Sequence, residues 1–172
     1  MTIANKLGSD YESIRAASKF KTIKVNLNDV EFELKVRVPV KKELEAMMAS
    51  IASPDKEYKE KLYEELSAPL RKSILEAGDD FLNVFNSEAE KIKFTDDDIV
   101  VDGNSIRNIA HMSAMWHTQV EKFFSLLQSA TGEPINESFE QITDEFPDAV
   151  VKEIIEKIDA AIRPNYGESR KN

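Results

Sequence analysis

Two histidines are the first residues of this chain whose chemistry and spacing need testing. His111 and His117 are six residues apart, so on one helix they would point to nearly opposite sides. Two helical metal ligands need a spacing of three or four residues. The chain has no cysteine, which excludes a thiolate ligand, a cysteine nucleophile and a disulfide framework. We therefore predict no metal site.

The acidic stretch 96–102 has the composition of a calcium loop but not its pattern. A twelve-residue calcium loop requires oxygen ligands at alternate positions, Gly at the sixth and Glu at the twelfth. Counting from Asp98, the sixth residue is Gly103, but the third is Val100 and the twelfth is Ile109. We interpret the stretch as a solvated acidic loop.

Glycine and serine motifs of known enzyme classes are missing from the sequence. The five glycines are never clustered, so neither form of phosphate-binding loop is present. No serine lies in a nucleophile-elbow pattern. Carboxylates are abundant, and the fold could still bring two of them together. On this balance we expect no enzyme activity and no cofactor.

The charge balance indicates the kind of partner. The chain has 172 residues, a formal net charge of −9 and 32% charged residues, which is typical of a soluble globular protein. An acidic surface repels phosphates, so we expect no nucleic-acid partner and instead a basic or apolar protein partner. Without a run of 18 apolar residues or an apolar N-terminal core, we expect neither a membrane partner nor secretion.

One helix is predicted to organise the core, over residues 105–131. Asp102 to Ser105 supply a turn and an N-cap, and Gly132 and Pro134 supply the stop. Met112 and Phe124 widen its apolar stripe, whose members lie three and four residues apart: Ile106, Ile109, Ser113, Trp116, Val120, Phe123 and Leu127.

The segment 20–38 predicts a β-hairpin around an Asn28-Asp29 turn. In this register, Leu27 faces Val30. Val25 then faces Phe32 and Ile23 faces Leu34, while Lys24 and Glu33 pair on the other face. Alternation and register agree, although a turn without Gly allows a loop one or two residues longer.

The remaining segments predict helices and one short strand. Helices are expected over 41–51 and from a Ser53 N-cap with Pro54 at the first position, the latter with a kink or restart at Pro69 and a C-cap at Gly78. Pro147 is expected to open a last helix that ends before Pro164 and has one apolar face: Val150, Val151, Ile154, Ile155, Ile158 and Ile162. Residues 99–101 predict a strand. We therefore predict an α+β protein: an N-terminal antiparallel β-hairpin followed by a mainly helical bundle around one long central helix. The domain would span 19–164, with an N-terminal arm 1–18 and a flexible tail 165–172.

Methionine and phenylalanine side chains are the candidate partner-binding residues. Methionine repacks easily against varied partners, and apolar residues on more than one face of the central helix predict a second contact, within the domain or with another copy. The alternative is that these residues are core. The candidates are Met47, Met48, Met112, Met115, Phe123 and Phe124.

Segments near both ends of the chain resemble one family. Residues 32–39 (FELKVRVP) with the following KKELE, and residues 145–147 (EFP) with the helix that ends in IRPNY, are similar to the terminal regions of tail assembly chaperones of long-tailed (siphophage-type) bacteriophages. The closing Arg170, Lys171 and Asn172 resemble the shared end of that family, where a ribosomal slip makes a longer product. Codons for these three residues can read A-AAA-AAY, a heptamer on which the ribosome can slip back by one base.

The resemblance implies a concrete function. Such chaperones bind the aggregation-prone tape-measure protein in the host cytoplasm, and their longer frameshifted product recruits tail-tube subunits. Neither product stays in the finished virion. The alternatives are an acidic export-type chaperone or a small acidic protein inhibitor. Acidic residues interleaved with Lys over 41–72 argue against an inhibitor that mimics nucleic acid.

Overall fold

The structure, a computed structural model, describes residues 8, 19–85, 92–131 and 133–163, with the backbone alone over 79–85. The elements in chain order are β1 (Phe20–Leu27), β2 (Val30–Arg37), α1 (Lys41–Ala52), α2 (Lys56–Phe85), β3 (Ile92–Phe94), β4 (Ile99–Val101), β5 (Asn104–Ser105), α3 (Ile106–Phe124), α4 (Phe139–Glu145) and α5 (Asp148–Ile162). The predicted fold class is confirmed: an antiparallel hairpin comes first and mainly helical structure follows.

The described residues divide into two compact units. The first unit takes them from Met1–Met48 and Gln119–Asn172, and the second from Ala49–Thr118. A single domain over 19–164 stays a prediction. Apart from Gly8, the predicted arm 1–18 lies outside the described residues, as does the tail 165–172.

The hairpin has the predicted register. Leu27 pairs with Val30, Val25 with Phe32 and Ile23 with Leu34. The loop is two residues long, because Asn28 and Asp29 both take positive φ, 51° and 63°, which builds a type I′ turn without glycine. In the first unit, α5 lies against β1 and buries its predicted apolar face: Val150, Val151, Ile154, Ile155, Ile158 and Ile162.

The start of α2 and the role of Pro69 correct two predictions. Asp55, not Ser53, caps α2, since its Oδ1 accepts the backbone N–H of Tyr58 at 3.0 Å and the helix begins at Lys56. The backbone is helical through Pro69 and departs only at Gly78, with φ 54°. Burial of Tyr63 before the proline and packing of Leu70 after it outweigh the lost hydrogen bond.

Helix α3 begins as predicted and ends early. The Ser105 hydroxyl caps it by accepting the Asn108 N–H at 3.0 Å. The helix stops at Phe124 rather than continuing to Gly132. Leu126 and Gln128 instead form backbone hydrogen bonds with β2. These bonds satisfy the Arg37 N–H and the Lys35 carbonyl on the strand edge, which would lack these partners if the helix continued.

The buried stripe of α3 also differs from the prediction in the second unit. Ile109 is 41% and Met112 57% exposed, whereas Ala110 and Ala114 are buried. These alanines belong to a core cluster with Leu62, Tyr63, Ile99 and Ile106. Small side chains let the large Tyr63 approach the helix, so packing selects the alanine face over the larger side chains beside it.

Two short strands were not predicted. Residues 99–101 form β4 as expected, but they are the middle strand of a three-stranded antiparallel sheet in the order β3-β4-β5. β3 and β5 are only three and two residues long, too short to show a recognisable alternation in sequence.

Candidate functional site

An apolar groove of about 380 Å³ lies in the first unit. Its walls carry half-buried side chains, namely Phe32 and Leu34 of β2, Ile135, and Phe146 after α4, while buried Phe124, Leu127, Ile142 and Ile154 form its floor. Partly exposed apolar side chains grouped around a concave surface favour a binding site over a packed core.

Aromatic packing and one capping motif fix the α4 wall of the groove. The rings of Phe124 and Phe146 meet edge-on, with centroids 5.9 Å apart. Ser138 and Gln141 form a reciprocal capping box at the start of α4. Glu121 on α3 accepts the N–H of Phe139 at 2.9 Å. The helix that carries Ile142 is therefore tied at its N-terminus to α3.

The rim of the groove is acidic. Glu137, Gln141 and Glu145 line it and are exposed, and no Lys or Arg is among its lining residues in the described part of the chain. The site therefore combines an apolar floor with two carboxylates, which favours an apolar ligand that also carries positive charge.

The base of the β2 edge is closed by the chain that leaves α3. Arg37 donates its N–H to the carbonyl of Leu126 at 2.8 Å, and Gln128 donates its N–H to the carbonyl of Lys35 at 2.9 Å. The Arg37 guanidinium also forms a two-pronged pair with Glu43, at 2.8 and 2.5 Å. That hydrogen bonding lowers the pKa of Glu43 and keeps it ionised.

Side chains of α5 cover the edge of β1. Glu153 Oε1 accepts the N–H of Asn26 at 3.4 Å, and Lys157 Nζ donates to the carbonyl of Lys24. Glu153 and Lys157 are themselves paired at 2.7 Å, and this hydrogen bond lowers the pKa of Glu153. Charged groups placed on an edge strand in this way disfavour pairing with another chain.

Asp98 organises the start of α3 in the second unit. Its carboxylate accepts hydrogen bonds from the Ser105 hydroxyl and from the N–H groups of Arg107 and Ile99. Burial acts to raise the pKa of Asp98, but these hydrogen bonds outweigh it and the pKa is lowered. The acidic stretch therefore contains a structural helix cap.

A polar cleft of about 480 Å³ lies beside this cap in the second unit. Lys56, Lys59 and His111 line it together with Arg107. The Arg107 guanidinium already forms an ion pair with Glu60 at 2.5 Å, and its Cζ lies 4.0 Å from the centre of the Tyr63 ring in a cation–π contact. Two surface lysines and one histidine do not define a ligand, so the cleft is the weaker candidate.

The six predicted partner-binding residues have different environments. Phe123 and Phe124 are buried, at 0% and 3% exposure, and Met47 is buried as well. Met48 and Met112 are 40% and 57% exposed, and Met115 is half-buried. Of the six, Phe124 is the one that lines the apolar groove. The predicted frameshift residues Arg170, Lys171 and Asn172 lie outside the described residues.

The two histidines lie in different surroundings. His117 Nδ1 hydrogen-bonds the Tyr58 hydroxyl at 2.7 Å, and His111 lines the polar cleft. Within the described ranges, no group of three His, Asp or Glu side chains is placed to hold a metal ion.

Sequence reasoning missed the groove residues Phe32, Leu34, Ile135 and Phe146. The first two were assigned to the buried face of the hairpin, and the last two lie in segments without strong periodicity. Ile135 carries a weak signal, as an apolar residue between Pro134 and the polar stretch Asn136-Glu137-Ser138. Recognising Ile135 as a groove residue requires knowledge of the distant β2 residues that line the same groove.

No protein-family model, no curated protein and no solved structure matches the chain. Among the described helices, none has both the length and the apolar character needed to cross a membrane. The groove and its charges are therefore the observations on which a function can be argued.

Proposed function

We propose that this protein is a tail assembly chaperone of a long-tailed bacteriophage, which binds the tape-measure protein in the host cytoplasm through the apolar groove of the first unit. The groove is the observation that carries this proposal. Its walls offer apolar surface that a client can cover, on four half-buried side chains: Phe32, Leu34, Ile135 and Phe146.

The chemistry of the groove suits this client class. A long protein built largely of helices exposes apolar stripes before assembly, and these stripes aggregate unless another apolar surface covers them. Carboxylates of Glu137 and Glu145 on the rim, and a net charge of −9 on the chain, keep the complex hydrated and attract basic side chains of the client.

The resemblance extends the proposal to tail assembly as a whole. The chain would be the short product of a frameshifting gene, with Arg170 to Asn172 at the slip site. A longer product would recruit tail-tube subunits, and both products would leave before the virion is complete. Nucleotide sequence across codons 168–172 tests this part separately: a heptamer A-AAA-AAY followed by an open shifted frame supports it, and codons that cannot slip exclude it.

An acidic export-type chaperone is the alternative that the same groove fits, because it also needs an apolar surface within an acidic chain. An inhibitor that mimics nucleic acid fits less well. Acidic side chains of α1 and α2 are paired with lysines one turn away, as in Lys41–Glu45, Lys61–Glu65 and Lys72–Glu76. Such pairs neutralise the continuous row of charge that mimicry requires.

Co-expression with a candidate tape-measure protein from the same genome tests the proposed function. We expect the client to be soluble and to co-purify with this chain, and to precipitate when it is expressed alone. A client that precipitates equally in both cases, with no complex recovered, would exclude the tape-measure protein as the ligand.

A further inference from the structure

Among the described residues, none pairs with the outer edge of β2 in its half nearest the Asn28-Asp29 turn. The N–H of Arg37 and the carbonyl of Lys35 point away from β1, since both bond the segment 126–128. Strand geometry repeats every two residues, so the N–H and carbonyl groups of Glu33 and Glu31 also point outward. In the described part of the chain, no strand or bridge covers this stretch, because pairing with 126–128 is confined to the base.

The open edge runs along the apolar groove. Phe32 and Leu34 alternate with Glu31 and Glu33 on β2, so they project to the opposite face of the strand, and both line the groove. Leu127, Gln128 and Ser129, where the covering segment leaves the edge, line the same groove. A chain continuing along this edge would therefore place alternate side chains in the groove.

The charges on the other face select the occupant. Side chains of Glu31 and Glu33 are 53% and 63% exposed and share one cation, Lys24. A second copy of β2 paired antiparallel across this stretch would put carboxylates opposite carboxylates, which is unfavourable. A strand with Lys or Arg opposite these glutamates forms opposite-charge pairs, and the rim carboxylates Glu137 and Glu145 favour the same partner.

We propose that a partner segment binds by strand addition to β2, with apolar residues in the groove alternating with Lys or Arg opposite Glu31 and Glu33. The segment belongs to the client, and in that respect this inference rests on the proposed function. Backbone hydrogen bonds to Glu33 supply affinity, while the groove and the glutamates set the apolar-basic alternation.

A fluorescent nine-residue peptide of alternating lysine and valine, titrated into the full-length protein and followed by anisotropy, tests the binding mode. We expect saturable binding that Glu33→Pro weakens about tenfold or more, because it removes the outward N–H and blocks pairing. Glu33→Ala keeps that N–H and should weaken binding by only about two- to threefold through the lost charge. The outward direction of the Glu33 N–H means that proline breaks no bond between β1 and β2.

Ester-substituted peptides give a second readout on the unmutated protein. Replacing single amides by esters should weaken binding at positions of one parity, which face β2, and leave the other parity unchanged. Absence of saturable binding, equal loss in Glu33→Pro and Glu33→Ala, or ester effects without parity would overturn strand addition. A concentration-dependent dimer that Glu33→Pro dissolves would assign the edge to a second copy and overturn it as well.

The co-expression experiment separates this inference from the proposed function. A tape-measure protein kept soluble equally by wild type and Glu33→Pro would leave the chaperone role standing and contradict strand addition. Parity-dependent peptide binding without any effect on the tape-measure protein would support strand addition and contradict the chaperone role.

Discussion

The backbone N–H of Gln128 donates to the carbonyl of Lys35 at 2.9 Å, and beyond this bond no segment that the structure describes covers the outer edge of β2. Together with the bond from the Arg37 N–H to the Leu126 carbonyl, it accounts for the early end of α3, because a segment that pairs with the strand cannot remain helical. This pairing thus sets both the limit of the central helix and the start of the proposed binding edge.

Replacing Gln128 with proline tests this relationship. The change removes the donor and leaves the Lys35 carbonyl without its partner, so we expect the free energy of unfolding to fall by about 1–3 kcal/mol. Urea unfolding followed by circular dichroism measures it. Gln128→Ala retains the N–H and should stay within about 0.5 kcal/mol of wild type. Equal losses in the two variants would show that the backbone bond is not the stabilising feature.

The hairpin register makes a second prediction. Val25 is fully buried, so Val25→Asp places an unpaired charge in the core and should lower the free energy of unfolding by about 3 kcal/mol or more. Val30 lies on the same hairpin but is 65% exposed, and Val30→Asp should change it by less than about 0.5 kcal/mol. Similar unfolding midpoints for the two aspartate variants would contradict the burial pattern.

The hairpin was predictable from sequence because two local signals agree. Apolar and polar residues alternate on both strands, and Asn28 and Asp29 tolerate the positive φ that a two-residue loop requires. The apolar face of α5 was equally clear, since all six of its predicted members recur at helical spacing and are buried. Local periodicity was sufficient to predict the buried residues wherever one face of a helix or strand packs against one neighbouring element.

Elements governed by distant contacts were not predictable. Nothing within residues 125–131 shows that Leu126 and Gln128 will bond β2, some ninety residues earlier in the chain. The residues that line the groove come from β2, the end of α3, the loop that contains Ile135, α4 and α5, so no single sequence motif marks it. Sequence reasoning placed apolar binding surface on Met and Phe residues; Phe123 is fully buried, whereas Phe124 is buried and forms part of the groove floor.

The alanine face of α3 makes a third prediction. Ala114 is fully buried in the second unit, and Ala114→Leu would force a larger side chain into a packed site, which should cost about 1–3 kcal/mol. Met112 on the same helix is 57% exposed, so Met112→Leu should be neutral within about 0.5 kcal/mol. Thermal unfolding of both variants provides the comparison. A neutral Ala114→Leu would mean that this face is not tightly packed.

Asp98 makes a prediction about pH. Its pKa is lowered in the folded protein, so its charge stabilises the fold above the ordinary carboxyl pKa, and that contribution is lost as the pH falls through the lowered value. Asp98→Asn removes the charge, and we expect it to cost about 1 kcal/mol at pH 7. The difference from wild type should shrink below about pH 4, as urea unfolding at several pH values will show. A difference in the free energy of unfolding that does not change with pH would show that the charge of Asp98 does not contribute to stability.

The measurement that tests the groove most directly is the amount of soluble tape-measure protein recovered with two isoleucine variants of this chain. Ile135→Glu places a charge in the apolar groove, and Ile109→Glu places the same charge on a 41% exposed site of the second unit. We expect Ile135→Glu to weaken client binding about tenfold or more and to leave the client insoluble, while Ile109→Glu behaves as wild type. Full solubilisation by a folded Ile135→Glu variant would contradict a client site in the groove.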